Sequence, residues 1–202
     1  MTGISFRYLQ KPPTPDILDE IFDILATNMR VIAPTGMTYE EDKAQWLSCV
    51  PPALEKEARQ ILLIYDRDEL IGFFQYYVTA DHSTFMMEEL QFKAAYHGSG
   101  LFGDLYRYLL PRLPADIQAV EAYADKRNRK SLAVLAHLGL TVMGDNKNCS
   151  SYHLRGSYAE LRARYTKKTP QGRPRCRRRL PCGCFLLSVT SSRQCSRPWR
   201  KE

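Results

Sequence analysis

Apolar and polar positions change period several times along this chain, and each change marks an element. Ile4–Leu9 alternates as a strand. After Pro15, apolar residues recur at Ile17, Leu18, Ile21, Ile24 and Leu25, the spacing of one helical face, and predict a helix over Asp16–Met29. Thr38-Tyr39-Glu40-Glu41 has the capping-box pattern and opens a second helix through Trp46. Pro51-Pro52 is expected to end that run before another helical piece, Ala53–Arg59. Ile61–Asp66 and Leu70–Val78 read as a hairpin across Arg67-Asp68-Glu69, and Phe85–Lys93 as a further strand. An amphipathic helix over Leu101–Leu110, a strand over Ala119–Ala124 and a helix through Leu138 follow. Val142 and Tyr152–Leu154 fit two last strands around the turn Asp145-Asn146-Lys147-Asn148. The order β-α-α-β-β-β-α-β-α-β-β belongs to an α/β chain without internal repeats.

Composition divides the chain in two. Residues 1–168 hold twenty basic and twenty-one acidic residues, enough length for one core and nearly no net charge. Residues 169–202 hold nine Lys/Arg and one acid, with Arg, Pro, Ser and Cys dominant and no period long enough for a packed element, so disorder is expected there. Arg177-Arg178-Arg179 would attract phosphates without specificity, and no interleaved aromatics support base stacking, so nucleic acid is a partner only through this tail. Cys176, Cys182, Cys184 and Cys195 lack paired C-x-x-C spacing and a nearby histidine, which speaks against zinc. Cys49 and Cys149 stand apart in the domain. No apolar run spans a membrane and the N-terminus reads as a strand rather than a leader, so the expected setting is cytoplasmic.

The densest chemistry lies at the end of the Phe85–Lys93 strand, in Tyr96-His97-Gly98-Ser99-Gly100-Leu101-Phe102-Gly103. A strand running through glycines straight into a helix makes a phosphate cradle: glycine permits a tight turn with converging N–H groups, and the helix start adds partial positive charge. Three glycines are otherwise a poor helix start, at about 1 kcal/mol each relative to alanine. About 25 residues downstream, Val120-Glu121-Ala122-Tyr123-Ala124-Asp125 leads through Asn128-Arg129-Lys130-Ser131 to a helix ending in Leu138-Gly139-Leu140, with Gly139 placed for a left-handed helix end.

Together these segments resemble the core of the GNAT acyl-CoA N-acyltransferase superfamily over roughly residues 3–165. Leu90, Phe92, Tyr96, Gly98 and Gly100 match its L-x-V-x-P-x-Y-R-G-x-G signature with Phe92 in the valine slot, and Asn128, Ser131 and Leu138-Gly139-Leu140 match the second. Departures are His97 before the first glycine, Ala94 in the proline slot, Phe102 with Gly103 one place late, and Leu135 where a tyrosine often stands. The resemblance implies a mixed, mostly antiparallel sheet with two splayed central parallel strands and helices on both faces. It implies that backbone at Leu90 and Phe92 pairs with a pantetheine arm and offers an oxyanion donor. His97, Gly98, Ser99, Gly100, Leu101, Phe102 and Gly103 would hold the pyrophosphate. Asn128 and Ser131 would meet the pantetheine, although Asn128 also suits an ordinary N-cap.

Attack of an amine on a thioester requires loss of a proton. Glu88 and Glu89 are the expected carboxylates. Strand alternation sets them on opposite faces, Glu88 with Leu90 and Phe92, Glu89 with Gln91 and Lys93, and leaves open which face carries the amine. Glu121 and Tyr123 are further candidates. Leu135 cannot protonate the leaving thiolate, His137 is turned about 200° from it on the helix, and Tyr152 has no spacing argument. Tyr39, Trp46, Phe73, Gln75 and Tyr77 are candidate acceptor-pocket residues or core. The expected function is transfer of an acetyl group from acetyl-CoA, without a metal, to a primary amine of a small molecule or peptide, with a homodimer compatible. The alternative is a noncatalytic acyl-CoA-binding sensor or interaction module of the same fold.

Overall fold

The computed structural model describes residues 3–56, 58–166 and Leu187–Ser188. Its elements are β1 (Ile4–Tyr8), α1 (Pro15–Ile32), α2 (Tyr39–Lys56), β2 (Gln60–Asp66), β3 (Glu69–Val78), β4 (Thr84–Phe92), α3 (Leu101–Leu109), β5 (Ala119–Asp125), α4 (Arg129–His137), β6 (Thr141–Asp145), β7 (Ser151–Ser157), α5 (Tyr158–Thr166) and β8 (Leu187–Ser188). One sheet runs in the order β1-β2-β3-β4-β5-β7-β6, with β8 added on β4. All neighbours are antiparallel except β4 and β5. The mixed, mostly antiparallel sheet with a central parallel pair and helices on both faces is thus present.

Strand alternation sorts the core into two layers. Ile61, Leu63, Leu70 and Phe73 pack with Ile21 and Ile24 of α1 and Leu54 of α2 on one face. Phe74, Phe85, Met87, Leu90, Val120, Ala122 and Leu154 point to the other, against Leu105 and Tyr106 of α3, Leu135 and Leu138 of α4, and Tyr158 and Leu161 of α5. Over β5, β7 and β6 the α1/α2 face is left without a helix among the described residues.

Three elements differ from expectation. Pro51 and Pro52 lie inside α2 rather than ending it. A proline costs about 3 kcal/mol in a helix interior, and here Trp46, Val50 and fully buried Leu54, seated on the sheet, hold the helix across both. A helix at Tyr158–Thr166, read from no periodicity, forms because Tyr158 and Leu161 each become fully buried against the sheet. Within the tail expected to be disordered, Leu187 and Ser188 form a short strand. The other tail residues, with Arg177-Arg178-Arg179 and the four tail cysteines, lie outside the described residues. Cys49 is disulfide-bonded and Cys149 is a free, exposed thiol.

Local signals hold where they were specific. Thr38 accepts from the Glu41 amide at 3.3 Å while Glu41 accepts from the Thr38 amide at 2.8 Å, a complete capping box. Gly139 has φ +92° at the end of α4, in the left-handed region.

Candidate functional site

β4 and β5 pair only from Thr84↔Ala119 to Met87↔Ala122. Beyond that point β4 follows β3 as far as Gly72↔Phe92, and β5 follows β7 to Asp125↔Ser151. Each parallel strand is held by its outer neighbour, so the two separate into a notch between Glu88–Phe92 and Tyr123–Asp125. Such an edge exposes backbone donors and acceptors that call for a partner. Leu187 and Ser188 supply one, pairing antiparallel with Leu90 and Glu89. This part of β4 therefore accepts an added extended chain.

At the mouth of the notch β4 passes through a short 3-10 turn, Ala94–Tyr96, into the glycine loop. Gly98 and Gly100 have φ +73° and +87°, and Gly100 is the N-cap of α3. Side chains other than glycine resist this conformation. A Cβ built on Gly100 meets nothing within 4 Å, so the space before the helix is open. The amides of Gly98, Gly100 and Leu101 bond no described residue, whereas Ser99 bonds the Tyr96 carbonyl through its amide at 3.3 Å and its hydroxyl at 2.6 Å, and the Gly103 amide bonds Gly100 at 3.0 Å. Leu101 and Phe102 turn their side chains into the core, which leaves only their backbone to meet an anion. His97, expected beside the phosphates, donates from Nε2 to the Phe92 carbonyl at 2.9 Å.

The second motif is a capping structure. Asn128 Oδ1 accepts from the Ser131 amide at 3.0 Å, the N-cap role for α4. Both residues are buried at the end of β5, and Ser131 Oγ has no hydrogen-bond partner among the described residues. Leu135 is fully buried in the core, so no titratable group stands in its place.

The two carboxylates of β4 correct the alternation argument. Tyr76 pairs with Met87 and Gln75 with Glu89, so Glu88 is an extra residue in the ladder. A bulge of this kind shifts the phase of every side chain beyond it. Glu88 therefore does not share a face with Leu90 and Phe92; both glutamates face α1 and α2. Glu88 accepts from Arg59 through Nε at 2.5 Å and through a terminal nitrogen at 2.7 Å, and from Gln75 at 2.9 Å. The Arg59 guanidinium also sits over the Tyr77 ring at 5.8 Å. Glu89 is 9% exposed and accepts from Gln91. Burial, aided by the neighbouring Glu88 charge, pushes its carboxyl well above the usual range despite that bond.

Asn28 completes this buried network, donating to Gln91 Oε1 and to the Phe92 carbonyl, each at 2.9 Å. With His97 the Phe92 carbonyl thus accepts two bonds, the full capacity of its lone pairs. Asn28 and Gln91 were not singled out from sequence, yet a signal existed: Asn28 lies on the stripe of Ile21 and Ile24, a polar residue on an apolar helix face. Among the candidate pocket residues, Phe73 is core, and Tyr39 and Trp46 pack on Phe22, with ring centroids 5.2 and 5.6 Å away. Gln75 and Tyr77 stand beside Glu88. A cavity of about 340 Å³ lies between α1 and the ends of β3 and β4, lined by Glu20, Asp23, Thr27, Asn28, Leu70, Lys93 and Ala94.

On β5, just before the strands part, Glu121 pairs in register with Met86 and faces the same side as Glu88. It accepts from His153 Nε2 and from Arg155, each at 2.8 Å, and Tyr123 stacks on the His153 ring with centroids 4.9 Å apart. His137 is exposed, and Tyr152 packs under Lys126 at 4.9 Å on the opposite face from His153. No group of three or more His, Cys, Asp or Glu among the described residues is arranged to hold a metal ion, and no described helix is long and apolar enough to cross a membrane.

No family model and no curated protein sequence matches this chain. Solved structures do. An acetyltransferase from Thermus thermophilus is 15% identical, with a TM-score of 0.59 over 78% of this chain and 99% of its own. The PaiA N-acetyltransferase of Thermoplasma acidophilum, in complex with coenzyme A, is 14% identical with a TM-score of 0.58, covering 77% of this chain and 99% of its own. A spermidine N-acetyltransferase SpeG mutant from Vibrio cholerae is 13% identical with a TM-score of 0.55, covering 80% and 98%. A putative acetyltransferase of Desulfovibrio desulfuricans, at 14% identity and a TM-score of 0.58, is of the GNAT family. At these identities the likeness is one of fold, and that fold is the GNAT fold.

Proposed function

From the premise that this chain carries the GNAT fold, we propose that it is an acyl-CoA-dependent N-acetyltransferase moving an acetyl group from acetyl-CoA to a primary amine. The observation that carries the reading is the notch after Met87 and Ala122 opening directly onto the left-handed Gly100 at the start of α3. The fit is chemical as well as spatial. A pantetheine arm is an extended chain with amide groups, and the Glu89–Leu90 edge already pairs with an extended chain in β8. The pyrophosphate is an anion, and the Gly98, Gly100 and Leu101 amides at the start of α3 are its donors. His97 and Asn28 hold the end of β4 from behind. Asn128 and Ser131 shape the far wall at α4, and the cradle ends at Phe102 and Gly103.

With donor in the notch, the acceptor approaches over the α1/α2 face, where Glu88, Glu121, Tyr77 and Tyr123 stand. The amine lone pair attacks the thioester carbon and the carbonyl electrons move to oxygen, which a backbone N–H of the bulged strand stabilises. The carbonyl reforms as the C–S bond breaks, the nitrogen gives up its excess proton, and solvent protonates the thiolate, since Leu135 supplies no proton. Titration of the full chain with acetyl-CoA in a calorimeter, beside Gly100→Glu, tests the donor site. Micromolar binding lost in the variant is expected; absence of binding by the folded wild type overturns the reading.

The buried Leu135 favours a second reading, a noncatalytic acyl-CoA-binding module. Thiol release in the presence of amines separates the two, because a sensor binds donor and releases none.

A further inference from the structure

The two β4 carboxylates nearest the notch are poorly equipped to take the acceptor's proton. Glu88 is a carboxylate whose oxygens accept three hydrogen bonds, two from one guanidinium, so its lone pairs are already engaged. Glu89 is buried beneath the bulge with Gln91 and Asn28 around it. The open half of the same face holds a different group. We propose that His153, held by Glu121, is the base that receives the proton of the acceptor amine. The inference rests on the transferase reading above and assigns a residue of its acceptor side.

The geometry fixes the tautomer. A carboxylate only accepts, so the 2.8 Å bond to Glu121 Oε2 requires that His153 Nε2 carry its hydrogen. In the neutral ring the lone pair is then on Nδ1, which has no hydrogen-bond partner among the described residues. The His153 side chain is 26% exposed, on a face that no described helix covers. Tyr123, at the edge of the notch, stacks on the ring with an interplanar angle of 21° and keeps it from turning. A carboxylate behind one imidazole nitrogen, with the other nitrogen without a partner among the described residues, is the arrangement that lets histidine accept a proton and stabilises the imidazolium formed. Charges facing His153 are Glu121 on β5 and Arg155 on its own strand. Its β6 partner is Gly144, which brings none. Glu88, neutralised by Arg59, faces it from β4 across the notch.

The step balances. After attack, the nitrogen of the tetrahedral adduct carries a positive charge and an excess proton. That proton passes to His153 Nδ1 as the C–S bond breaks and the thiolate departs with the electron pair. His153 then returns the proton to solvent, and the products are the amide and the free thiol. Glu121 is a positioning residue that acts through the imidazole.

Wild type, His153→Gln and Glu121→Gln are compared as full chains. Acetyl-CoA affinity is read by calorimetry. Thiol release is read against pH with n-butylamine, putrescine, glucosamine and a peptide bearing a free N-terminal alanine. The expected result is a wild-type rate that rises with pH along a basic limb. His153→Gln should lose the limb and about 100-fold in kcat, the low end for general-base catalysis, with donor affinity unchanged. Glu121→Gln, which removes the carboxylate that holds Nε2, should lower kcat with donor affinity unchanged. A His153→Gln enzyme that keeps the limb and a rate within about threefold of wild type overturns the proposal while leaving the transferase reading intact, since loss of a general base costs far more. Donor binding without thiol release from any acceptor in wild type overturns both, and no donor binding overturns the donor site first.

Discussion

Glu89→Gln isolates the buried carboxyl at the bulge. In the folded chain its titration lies well above the ordinary value of 4.5, because burial disfavours the charge and Glu88 adds repulsion. In the unfolded chain it ionises near its ordinary value. A group with a raised folded value contributes its full stability below the unfolded pKa and loses it as pH climbs toward the folded one. Above about pH 4.5, therefore, the unfolded state gains about 1.4 kcal/mol per pH unit from ionising this side chain while the folded state still holds its proton. Glutamine has no such dependence. It also keeps the packing, because its carbonyl oxygen accepts from Gln91 as Glu89 Oε1 does. Urea unfolding of both proteins at intervals between about pH 4.5 and 7.5 reads the difference. Glu89→Gln should gain on wild type by about 1.4 kcal/mol per unit, levelling off once the folded-state pKa is passed. Stability curves that run parallel, or a variant that falls behind as pH rises, would show that the carboxyl is ionised in the folded state.

Gly100→Ala should cost about 1 kcal/mol, since nothing crowds its Cβ and only the φ of +87° resists it; chemical denaturation checks this. Gly72→Ala should cost more, roughly 1–3 kcal/mol, because its Cβ would come within 2.4 Å of the Gln91 carbonyl in the sheet; an unchanged midpoint would contradict the β3–β4 register. Leu135→Ala should destabilise by about 2–5 kcal/mol as a buried core residue, read by the same unfolding curves. Leu187→Pro should tighten acetyl-CoA binding roughly fivefold, the worth of a ladder hydrogen bond that the donor must otherwise displace; calorimetry showing the same affinity would mean that β8 does not compete for the notch.

Much of the fold was legible because it is written in local chemistry. The α1 stripe, the Thr38–Glu41 capping box, the Gly139 helix end and the glycine loop each depend on residues within a few positions of one another, and each forms where expected. The Asn128 motif was legible too, although its side chain caps α4, the plainer of its two readings. What failed were inferences carried across the chain. Period-two alternation cannot reveal a bulge, so Glu88 was assigned to the face of Leu90 when the extra residue in the ladder puts it beside Glu89. Pro51-Pro52 read as a break because helix propensity counts the lost bonds and not the burial of Leu54. The tail's composition concealed the short pairing of Leu187 and Ser188 with β4.

By itself, then, the amino-acid order determined most of the strands and helices and where glycine must turn the chain, since those outcomes are settled by neighbours in sequence, whereas the passage of α2 through Pro51-Pro52 and the formation of α5 waited on burial against the sheet. Tertiary structure decided what each polar side chain does. Glu88 is held by Arg59 from 29 positions away, Glu89 is pushed toward neutrality by burial under α1, and His153 meets Glu121 32 positions back. Protonation and reactivity are set by distance and solvent access, and only the folded sheet brings those groups together.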